Sequence, residues 1–265
     1  MRVSIVGTGK AGSAIALFLD RLGIKLHYLV DIEIERAERL AERLDNVEVA
    51  ETDALKYLDG VVIFAVPDSA IREVFLELWQ RNRAPEFYIH LSGMLDSLLF
   101  REAEMAGKAV ASVHPNIAFG DSIESSARLF HTIFAIEGNE KATSLLKEFL
   151  VRHSLKFMII NKDDKILYHA AAVISANFPV ALAGLSIEVY KTIGIDEQTA
   201  HSLVCGYLKD AEKLVSNGLP GDVITGPAIR GDKETVDTEA RALKMLDGRL
   251  AEVYEKISGI IDLWR

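Results

Sequence analysis

The segment Arg2-Val3-Ser4-Ile5-Val6-Gly7-Thr8-Gly9-Lys10-Ala11-Gly12 combines a short apolar run with a GxGxxG turn. The apolar run predicts a buried strand, and the residues after the turn predict a helix. A helix that begins at such a turn offers free backbone amides and the positive end of its dipole to a phosphate. Asp31 ends the next strand-like run about 20 residues later, where a carboxylate can accept hydrogen bonds from a ribose. The spacing therefore predicts a dinucleotide-binding site.

Each residue type in this turn has a physical reason. Gly7 permits the tight turn, Gly9 allows the backbone to approach a pyrophosphate, and Gly12 lets the helix pack close to the strand. The residues expected to bind the cofactor here are Gly7, Thr8, Gly9, Lys10, Ala11, Gly12 and Asp31. A carboxylate at position 31 repels a 2′-phosphate, which favours NAD over NADP. NADP remains possible, because Arg36 and Arg39 follow Asp31 in the sequence.

Short apolar runs alternate with amphipathic helical patterns through the first 160 residues. The runs predicted to be strands are Arg2–Val6, Lys25–Val30, Gly60–Val66, Phe87–Leu91, Ala109–Val113, Thr132–Ile136 and Phe157–Ile160. Strands that alternate with helices predict a mostly parallel sheet covered on both faces, which is the doubly wound, Rossmann-type α/β architecture. Asp68 is expected to cap the helix that follows the strand at 60–66.

After Asn161 the sequence shows no further strand pattern. Helical patterns are predicted over residues 162–193, 196–216, 233–246 and 249–263. We therefore predict a dinucleotide-binding domain at 1–160 and an all-α domain at 161–265. Because ligands bind outside the carboxyl ends of the strands in such sheets, the loops Val66-Pro67-Asp68 and Ser92-Gly93 are expected to border the cofactor.

Charge and composition argue against several classes of function. The formal net charge of −9 argues against nucleic-acid binding, because phosphates require a basic face. The single cysteine, Cys205, excludes a cysteine-cluster zinc site, and no HExxH or calcium-loop motif occurs, so no metal is predicted. The N-terminal residues lack the long apolar stretch and cleavage site of a signal peptide, which predicts a cytoplasmic protein.

The segment 170–189 is apolar and approaches the length of a membrane span. Asn177, Pro179 and Glu188 interrupt it, and Lys165 and His169 precede it. We interpret the segment as a helix buried in a core or at a subunit interface, and not as a membrane span. A small helical domain has limited capacity to cover such a surface, so we expect a homodimer built mainly on the C-terminal domain.

Three later motifs carry further chemistry: His114-Pro115-Asn116, Ser175-Ala176-Asn177-Phe178-Pro179 and Thr225-Gly226-Pro227-Ala228-Ile229-Arg230-Gly231-Asp232. In this order, after a GxGxxG domain, they resemble the strand-end, helical and late-loop motifs of pyrroline-5-carboxylate reductases. Lys165, followed one helical turn later by the polar residue His169, more distantly resembles the arrangement in beta-hydroxyacid dehydrogenases. The three motifs are closer still to an uncharacterised bacterial family of Rossmann-like oxidoreductases with a helical C-terminal domain of unknown function.

The resemblance implies an NAD(P)-dependent reductase or dehydrogenase that dimerises through its helical domain. It does not extend to a proline precursor as substrate, because Ser175-Ala176-Asn177-Phe178 replaces the small Ser/Gly run of the reductases. Arg230 and Asp232 also lack counterparts in the late loop of those enzymes.

His169, His114 and Lys165 are the candidates for proton transfer. Lys165 and His169 lie four residues apart and so project from one helix face. Histidine titrates near neutral pH, and a partly desolvated lysine can do the same work. The alternatives are a solvated first-turn lysine at 165 and structural histidines at 114 and 169. The candidate substrate-binding residues are Asn116, Ser175, Asn177, Thr225 and Arg230.

The sequence thus predicts an NAD(P)-dependent oxidoreductase that transfers a hydride to or from a small polar substrate with a C=O or C=N group. Two alternatives stay open. One is a non-catalytic dinucleotide-binding sensor or partner-binding protein. The other is a different reaction on the same fold, the oxidation of a 3-hydroxy acid.

Overall fold

Eight strands form one sheet in the N-terminal part of the chain. The computed structural model describes residues 2–265. The strands are β1 (Val3–Val6), β2 (Leu26–Val30), β3 (Glu48–Ala50), β4 (Val61–Phe64), β5 (Phe87–His90), β6 (Ala109–Pro115), β7 (Ile133–Gly138) and β8 (Lys156–Ile159). The helices are α1 (Lys10–Arg21), α2 (Ile34–Ala41), α3 (Asp68–Arg81), α4 (Arg101–Met105), α5 (Ser122–Arg128), α6 (Glu140–Arg152), α7 (Lys165–Thr192), α8 (Glu197–Asn217), α9 (Pro220–Val223), α10 (Pro227–Arg230), α11 (Lys233–Leu246) and α12 (Gly248–Asp262).

The strand order is β3-β2-β1-β4-β5-β6-β7-β8. Neighbouring strands are parallel except for the antiparallel pair β6 and β7. The chain crosses from one side of β1 to the other between β3 and β4, and a sheet of this kind binds ligands at that reversal. The predicted architecture, a Rossmann-type sheet followed by a helical region, is confirmed.

The edge strand β3 is absent from the sequence-based prediction. It has only three residues, Glu48–Ala50, and its burial pattern lacks the fully buried run that identifies the central strands. It pairs with β2 in parallel, and the amide of Asp31 donates to the carbonyl of Ala50 over 3.2 Å. The short strand therefore fixes the backbone at the end of β2, where Asp31 lies.

Apolar side chains from the strands form two cores, one on each face of the sheet. On one face the core contains Ile5, Ile63 and Ile89 with residues of α1 and α6. On the other face Phe64 and Tyr88 pack with residues of α3 and α4. Because both faces are covered, the central strands are mostly apolar, which is why the sequence identifies them clearly.

Two compact units divide the chain between Ala176 and Asn177. The second unit contains the C-terminal part of α7 and the helices α8 to α12, among which α11 packs against α12. The first part of α7, up to Ala176, belongs to the unit that contains the sheet. The domain boundary at 160/161 stays a prediction of the sequence.

Helix α7 exposes apolar side chains beyond its first turn. Ile174, Phe178 and Val180 expose 58%, 52% and 71% of their surfaces. By length and composition alone the helical segment 162–192 could cross a membrane, with a mean hydropathy of 1.8 over its most apolar window. The interpretation of 170–189 as a core helix is therefore wrong for the single chain, and the subunit interface stays a prediction.

Candidate functional site

The glycine turn joins β1 to α1 at the carboxyl edge of the sheet. Gly7 adopts a φ of +95°, which favours glycine, and a Cβ atom on Gly12 would lie 1.9 Å from the Gly7 carbonyl oxygen. A Cβ atom on Gly9 would meet no atom within 4 Å. Helix α1 begins directly after Gly9 without a side-chain cap. The turn thus combines a close internal contact with an open approach to the helix amides, which fits the phosphates of a dinucleotide.

Asp31 lies directly after β2 and holds the glycine turn in place. Its Oδ2 accepts hydrogen bonds from the Thr8 amide at 2.6 Å and the Thr8 hydroxyl at 2.7 Å. Its Oδ1 accepts from the Glu33 amide at 2.9 Å. Burial by itself would raise the pKa of Asp31, but these hydrogen bonds and the charge of Arg36 lower it below its usual value. Asp31 is therefore an anion with acceptor capacity left on Oδ1 alone.

The loop after β4 meets the loop after β5. The Ser92 hydroxyl donates to Oδ2 of Asp68 over 2.6 Å. Asp68 is the first residue of α3, and Pro67 occupies the cap position without a side-chain hydrogen bond. The expected capping role of Asp68 is therefore wrong, because its carboxylate is directed to Ser92. The structure brings together the two loops that the sequence assigned to the cofactor.

Lys165 is the centre of a buried polar cluster at the ends of β5 and β6. Its side chain is 2% exposed. Its ammonium donates to the Ser92 carbonyl at 3.2 Å and to the Ser112 hydroxyl at 2.5 Å. The Ser112 hydroxyl donates to the same Ser92 carbonyl over 2.9 Å. The alternative interpretation of Lys165 as a solvated residue is wrong, because the first turn of α7 lies against the strand ends.

Three polar residues in register across the sheet surround this ammonium. His90 on β5 pairs with Ser112 on β6, which pairs with Glu137 on β7. Both ring nitrogens of His90 are occupied, by the Asp96 carbonyl at 3.0 Å and the Ser92 amide at 3.3 Å. Glu137 accepts from the amide and hydroxyl of Ser97 at 2.7 and 2.8 Å.

Burial controls the ionisation of the cluster. It lowers the pKa of Lys165 to about 8, and the negative charges of Glu137, Asp96 and Asp68 limit the fall. Burial raises the pKa of Glu137, although its bonds from Ser97 oppose this. Burial also lowers the pKa of His90 to about 4. Lys165 is thus the group of this cluster whose proton becomes mobile just above neutral pH.

His114 and His169 lie on either side of Gly93. A Cβ atom on Gly93 would lie 2.7 Å from Nδ1 of His169 and 3.0 Å from Nε2 of His114. Burial, followed by the charges of Lys165 and His169, lowers the pKa of His114 to about 4. The buried Nδ1 of His169 has no hydrogen-bond partner among residues 2–265. Both predicted histidines therefore lie beside the predicted loop, and only a glycine at position 93 leaves them room.

Sequence reasoning missed Tyr168 and Glu137. The Tyr168 hydroxyl contacts Nδ1 of His114 at 2.7 Å and donates to Oδ1 of Asn116 at 2.6 Å. Its position three residues after Lys165 places it on the same helix face as that lysine, which is the signal that identifies it. Glu137 is a carboxylate within an otherwise apolar strand, and such a residue requires a polar partner.

The predicted substrate-binding residues are divided between the two units. Asn116 is held by Tyr168 and by the Ile133 carbonyl, to which its Nδ2 donates at 2.7 Å. The Ser175 hydroxyl bonds within α7 to the Ala171 carbonyl. Residues 177, 225 and 230 belong to the second unit. Arg230 forms no ion pair with Asp232, because Asp232 caps α11 through Thr235. The roles of these residues in binding stay predictions.

The first unit also contains an apolar cavity of about 380 Å³ between the sheet and helices α1 and α6. Its lining includes Phe18, Ile63 and Phe149, and its charged residues are Glu148 and Arg152, which pair with each other. A site for hydride chemistry needs convergent polar groups, and the cluster around Lys165 supplies them whereas this cavity does not.

Known protein families and solved structures match this chain over nearly its whole length. A Rossmann-like domain matches residues 1–115, and a domain of unknown function, DUF2520, matches residues 132–261. Protein TM1727 from Thermotoga maritima is 31% identical, with a TM-score of 0.77 over 99% of this chain and 97% of that one. No curated protein matches the chain.

Two further solved structures share the fold. Protein BF3122 from Bacteroides fragilis, provisionally described as an NADP oxidoreductase, is 21% identical, with a TM-score of 0.78 over 98% of this chain and 97% of that one. The pyrroline carboxylate reductase of Plasmodium falciparum, solved with NADP bound, is 14% identical, with a TM-score of 0.61 over 99% and 98%. The chain belongs to the family in which a Rossmann-like domain is followed by the domain of unknown function DUF2520.

Proposed function

We propose that the protein is an NAD(P)-dependent oxidoreductase that transfers a hydride to or from a small polar substrate with a C=O or C=N group. The observation that carries this proposal is the buried ammonium of Lys165, held at the carboxyl ends of β5 and β6. The glycine turn at the same edge of the sheet offers helix amides to a dinucleotide. Two fold relatives are described with NADP, one of them only provisionally, which supports the same class of cofactor.

A hydride transfer to a carbonyl or imine needs a proton from another source. The bound nicotinamide would supply or receive the hydride. Lys165 is our candidate for the proton, because its pKa of about 8 leaves the ammonium populated yet able to release a proton near neutral pH. Two acceptors hold its Nζ, and since an ammonium has three N–H donors, the third is the one that we assign to the substrate. In the oxidation direction the neutral amine would take the proton back.

His169 is the second candidate for the proton donor, and His114 is not a donor at neutral pH. His169 follows Lys165 by one helical turn, and its Nδ1 lies beside the same glycine as Nε2 of His114. His114, with a pKa of about 4, is neutral at pH 7 and has no proton to give as an acid.

For the cofactor we propose a preference for NAD(H). The anionic carboxylate of Asp31 lies at the end of β2, where the adenosine ribose binds in this fold. Its Oδ1 retains capacity for one ribose hydroxyl, whereas a 2′-phosphate would meet its charge. Ile32 beside it is 81% exposed and offers no positive charge.

For the assembly we propose a homodimer that covers α7. The exposed apolar residues of this helix, among them Ile174, Phe178 and Val180, support the proposal, because soluble monomers rarely expose large contiguous apolar patches. The same helix carries Lys165, which is anchored against the sheet. It also carries Glu188 and Lys191, which form an exposed ion pair of 3.1 Å. These charged groups favour a partner subunit over a lipid bilayer as the cover.

Gly9 and Gly12 of the turn predict different consequences for substitution. Gly12→Ala should lower the melting temperature, because its Cβ atom would overlap the Gly7 carbonyl and overpacking costs about 1–3 kcal/mol. Gly9→Ala should leave the melting temperature unchanged and weaken NAD(H) and NADP(H) binding by about tenfold or more, because it occupies the open approach. Thermal melts and calorimetric titrations measure both. Wild-type affinity in Gly9→Ala would contradict the assignment.

Asp31→Ser should narrow or reverse a preference for NADH over NADPH, because it removes the charge that repels a 2′-phosphate. Thr8→Val is the control. It loses the hydroxyl bond to Asp31 but keeps the carboxylate, so both affinities should fall together and their ratio should stay constant. Calorimetry with both cofactors gives the ratios. A wild-type protein that binds NADPH tenfold more tightly than NADH would overturn the preference.

Lys165→Met should lower turnover by about 10² to 10⁴, the usual loss when a general acid is removed, with cofactor binding intact. A panel of small carbonyl, imine and hydroxy-acid compounds with both cofactors identifies the reaction to be followed. Lys162→Met, at an exposed lysine one turn earlier, is the matched control.

The pH dependence of the reaction tests the same assignment. The reduction rate of the wild type should fall as pH rises through about 8, because the ammonium form of Lys165 prevails below that value. Lys165→Arg, whose side chain does not deprotonate, should not show this fall in rate at high pH. Normal turnover in Lys165→Met would refute the role of Lys165. Tight cofactor binding without turnover of any compound would favour the sensor alternative.

Light scattering should show a dimer across micromolar concentrations. Val180→Glu, at a 71% exposed position on α7, should shift the protein to the monomer because it would bury a charge at the interface. Val151→Glu, at a 66% exposed position on α6, is the matched control and should remain dimeric. A wild-type monomer, or a protein that stays in solution only with detergent, would contradict the proposed dimer.

A further inference from the structure

A chain of three hydrogen bonds runs from His114 to the backbone of β7. Nδ1 of His114 lies 2.7 Å from the Tyr168 hydroxyl. That hydroxyl donates to Oδ1 of Asn116 over 2.6 Å, and Nδ2 of Asn116 donates to the Ile133 carbonyl over 2.7 Å. The chain crosses three elements, since His114 lies on β6, Tyr168 on α7 and Ile133 on β7.

The backbone carbonyl at the end of this chain determines the direction of every bond in it. A carbonyl only accepts, so the amide group of Asn116 must direct its NH₂ to Ile133 and its oxygen to Tyr168. The Tyr168 hydroxyl then donates its proton to the hydrogen bond with Asn116, and the Tyr168 oxygen can only accept a further hydrogen bond. His114 must therefore donate to it from Nδ1–H, and a neutral His114 consequently carries no proton on Nε2.

The unprotonated Nε2 faces the centre of the candidate site. It lies 3.0 Å from the position of a Cβ atom on Gly93, and Nδ1 of His169 lies 2.7 Å from the same point. The groups that influence the ring are Lys165, His169 and Tyr168 on α7 and Asp68 on α3. Burial and the positive charges disfavour the imidazolium more than Asp68 favours it, so the pKa of His114 falls to about 4 and the ring stays neutral.

We infer that His114 binds the substrate as a hydrogen-bond acceptor through Nε2, and that Tyr168 and Asn116 hold it in this role. Because Lys165 contacts Ser92 and Nε2 lies beside Gly93, the next residue, the group that it accepts from is a hydroxyl carried next to the reacting carbon. The inference rests on the proposed function and deepens it by naming a hydroxylated substrate. In this assignment Lys165 transfers the proton, and His114 accepts a hydrogen bond from a substrate group that carries its own proton. Tyr168 and Asn116 are positioning residues. An acceptor that a bound substrate shields from water without pairing it is costly, so a compound without the hydroxyl is disfavoured.

Nuclear magnetic resonance of the ¹⁵N-labelled full chain reads the proton position without any turnover. Proton–nitrogen correlation through the histidine rings distinguishes Nδ1–H, Nε2–H and the imidazolium, and His114→Gln assigns the resonance. We expect His114 to carry its proton on Nδ1 with a bare Nε2 between about pH 5.5 and pH 8. Asn116→Leu frees the Tyr168 proton to turn towards His114, so the ring should convert to the Nε2–H form. Tyr168→Phe should give a mixture of both forms.

Tyr57→Phe, at an exposed tyrosine away from the cluster, is the control and should leave the His114 spectrum unchanged. Nε2–H in the wild type, an imidazolium near pH 6.5, or a spectrum unaffected by both Asn116→Leu and Tyr168→Phe would overturn the assignment. The wild-type spectrum decides the first two outcomes even where a variant does not fold.

The substrate class is tested with pairs of small carbonyl compounds that differ only in a hydroxyl next to the reacting carbon. The wild type should favour the hydroxylated member by about tenfold to a hundredfold in kcat/KM, mainly through KM. Tyr168→Phe and Asn116→Leu should reduce this ratio, while Tyr57→Phe keeps it. Equal ratios in all variants would overturn the proposed recognition. Failure of the oxidoreductase proposal would look different: no compound would react, while the spectrum would still report the proton on Nδ1.

Discussion

A buried ammonium is the constraint around which this end of the sheet is built. An unpaired charge in a protein interior is strongly unfavourable, so the chain must surround Lys165 with acceptors and negative charge. The Ser92 carbonyl and the Ser112 hydroxyl contact the ammonium directly. Glu137 on β7 adds a negative charge that favours the ammonium form. This requirement explains why polar residues interrupt β5, β6 and β7 at one level of the sheet, where packing alone would select valine or isoleucine.

The same ammonium determines what its neighbours can do. His90 and His114 lose their affinity for protons mainly through burial, and the charge of Lys165 adds to the effect. Two neutral rings therefore lie beside one cation, and each has a defined task. His90 joins two backbone groups, the Asp96 carbonyl and the Ser92 amide, and so holds the loop after β5. His114 keeps one nitrogen free for a ligand. A second cation in this space would raise the cost of burying the first.

The sequence was sufficient for the parts of the molecule that depend on local pattern. Apolar runs identified every central strand, and GxGxxG with Asp31 predicted a dinucleotide-binding turn between β1 and α1. It failed where an interaction joins distant segments. The residues next to Lys165 in the sequence do not show that its side chain contacts Ser92 and Ser112. A lysine in the first turn of a helix is therefore expected to be solvated. The roles of Tyr168 and Glu137 were not predicted for the same reason, since their hydrogen-bond partners lie about 40 to 50 residues away in the sequence.

Helix α7 connects the chemistry of the site to its exposed apolar surface. Lys165 and Tyr168 face the strand ends, while Ile166 and Leu167 between them are 69% and 74% exposed. The first turn of α7, which buries the ammonium, is therefore exposed to water on its opposite face in the single chain. If a partner subunit covers that side, the local dielectric falls and the hydrogen bonds of Lys165 strengthen. The desolvation that lowers the pKa of Lys165 then increases as well. On this argument assembly and proton transfer are thermodynamically linked, because the same helical turn contributes one face to each.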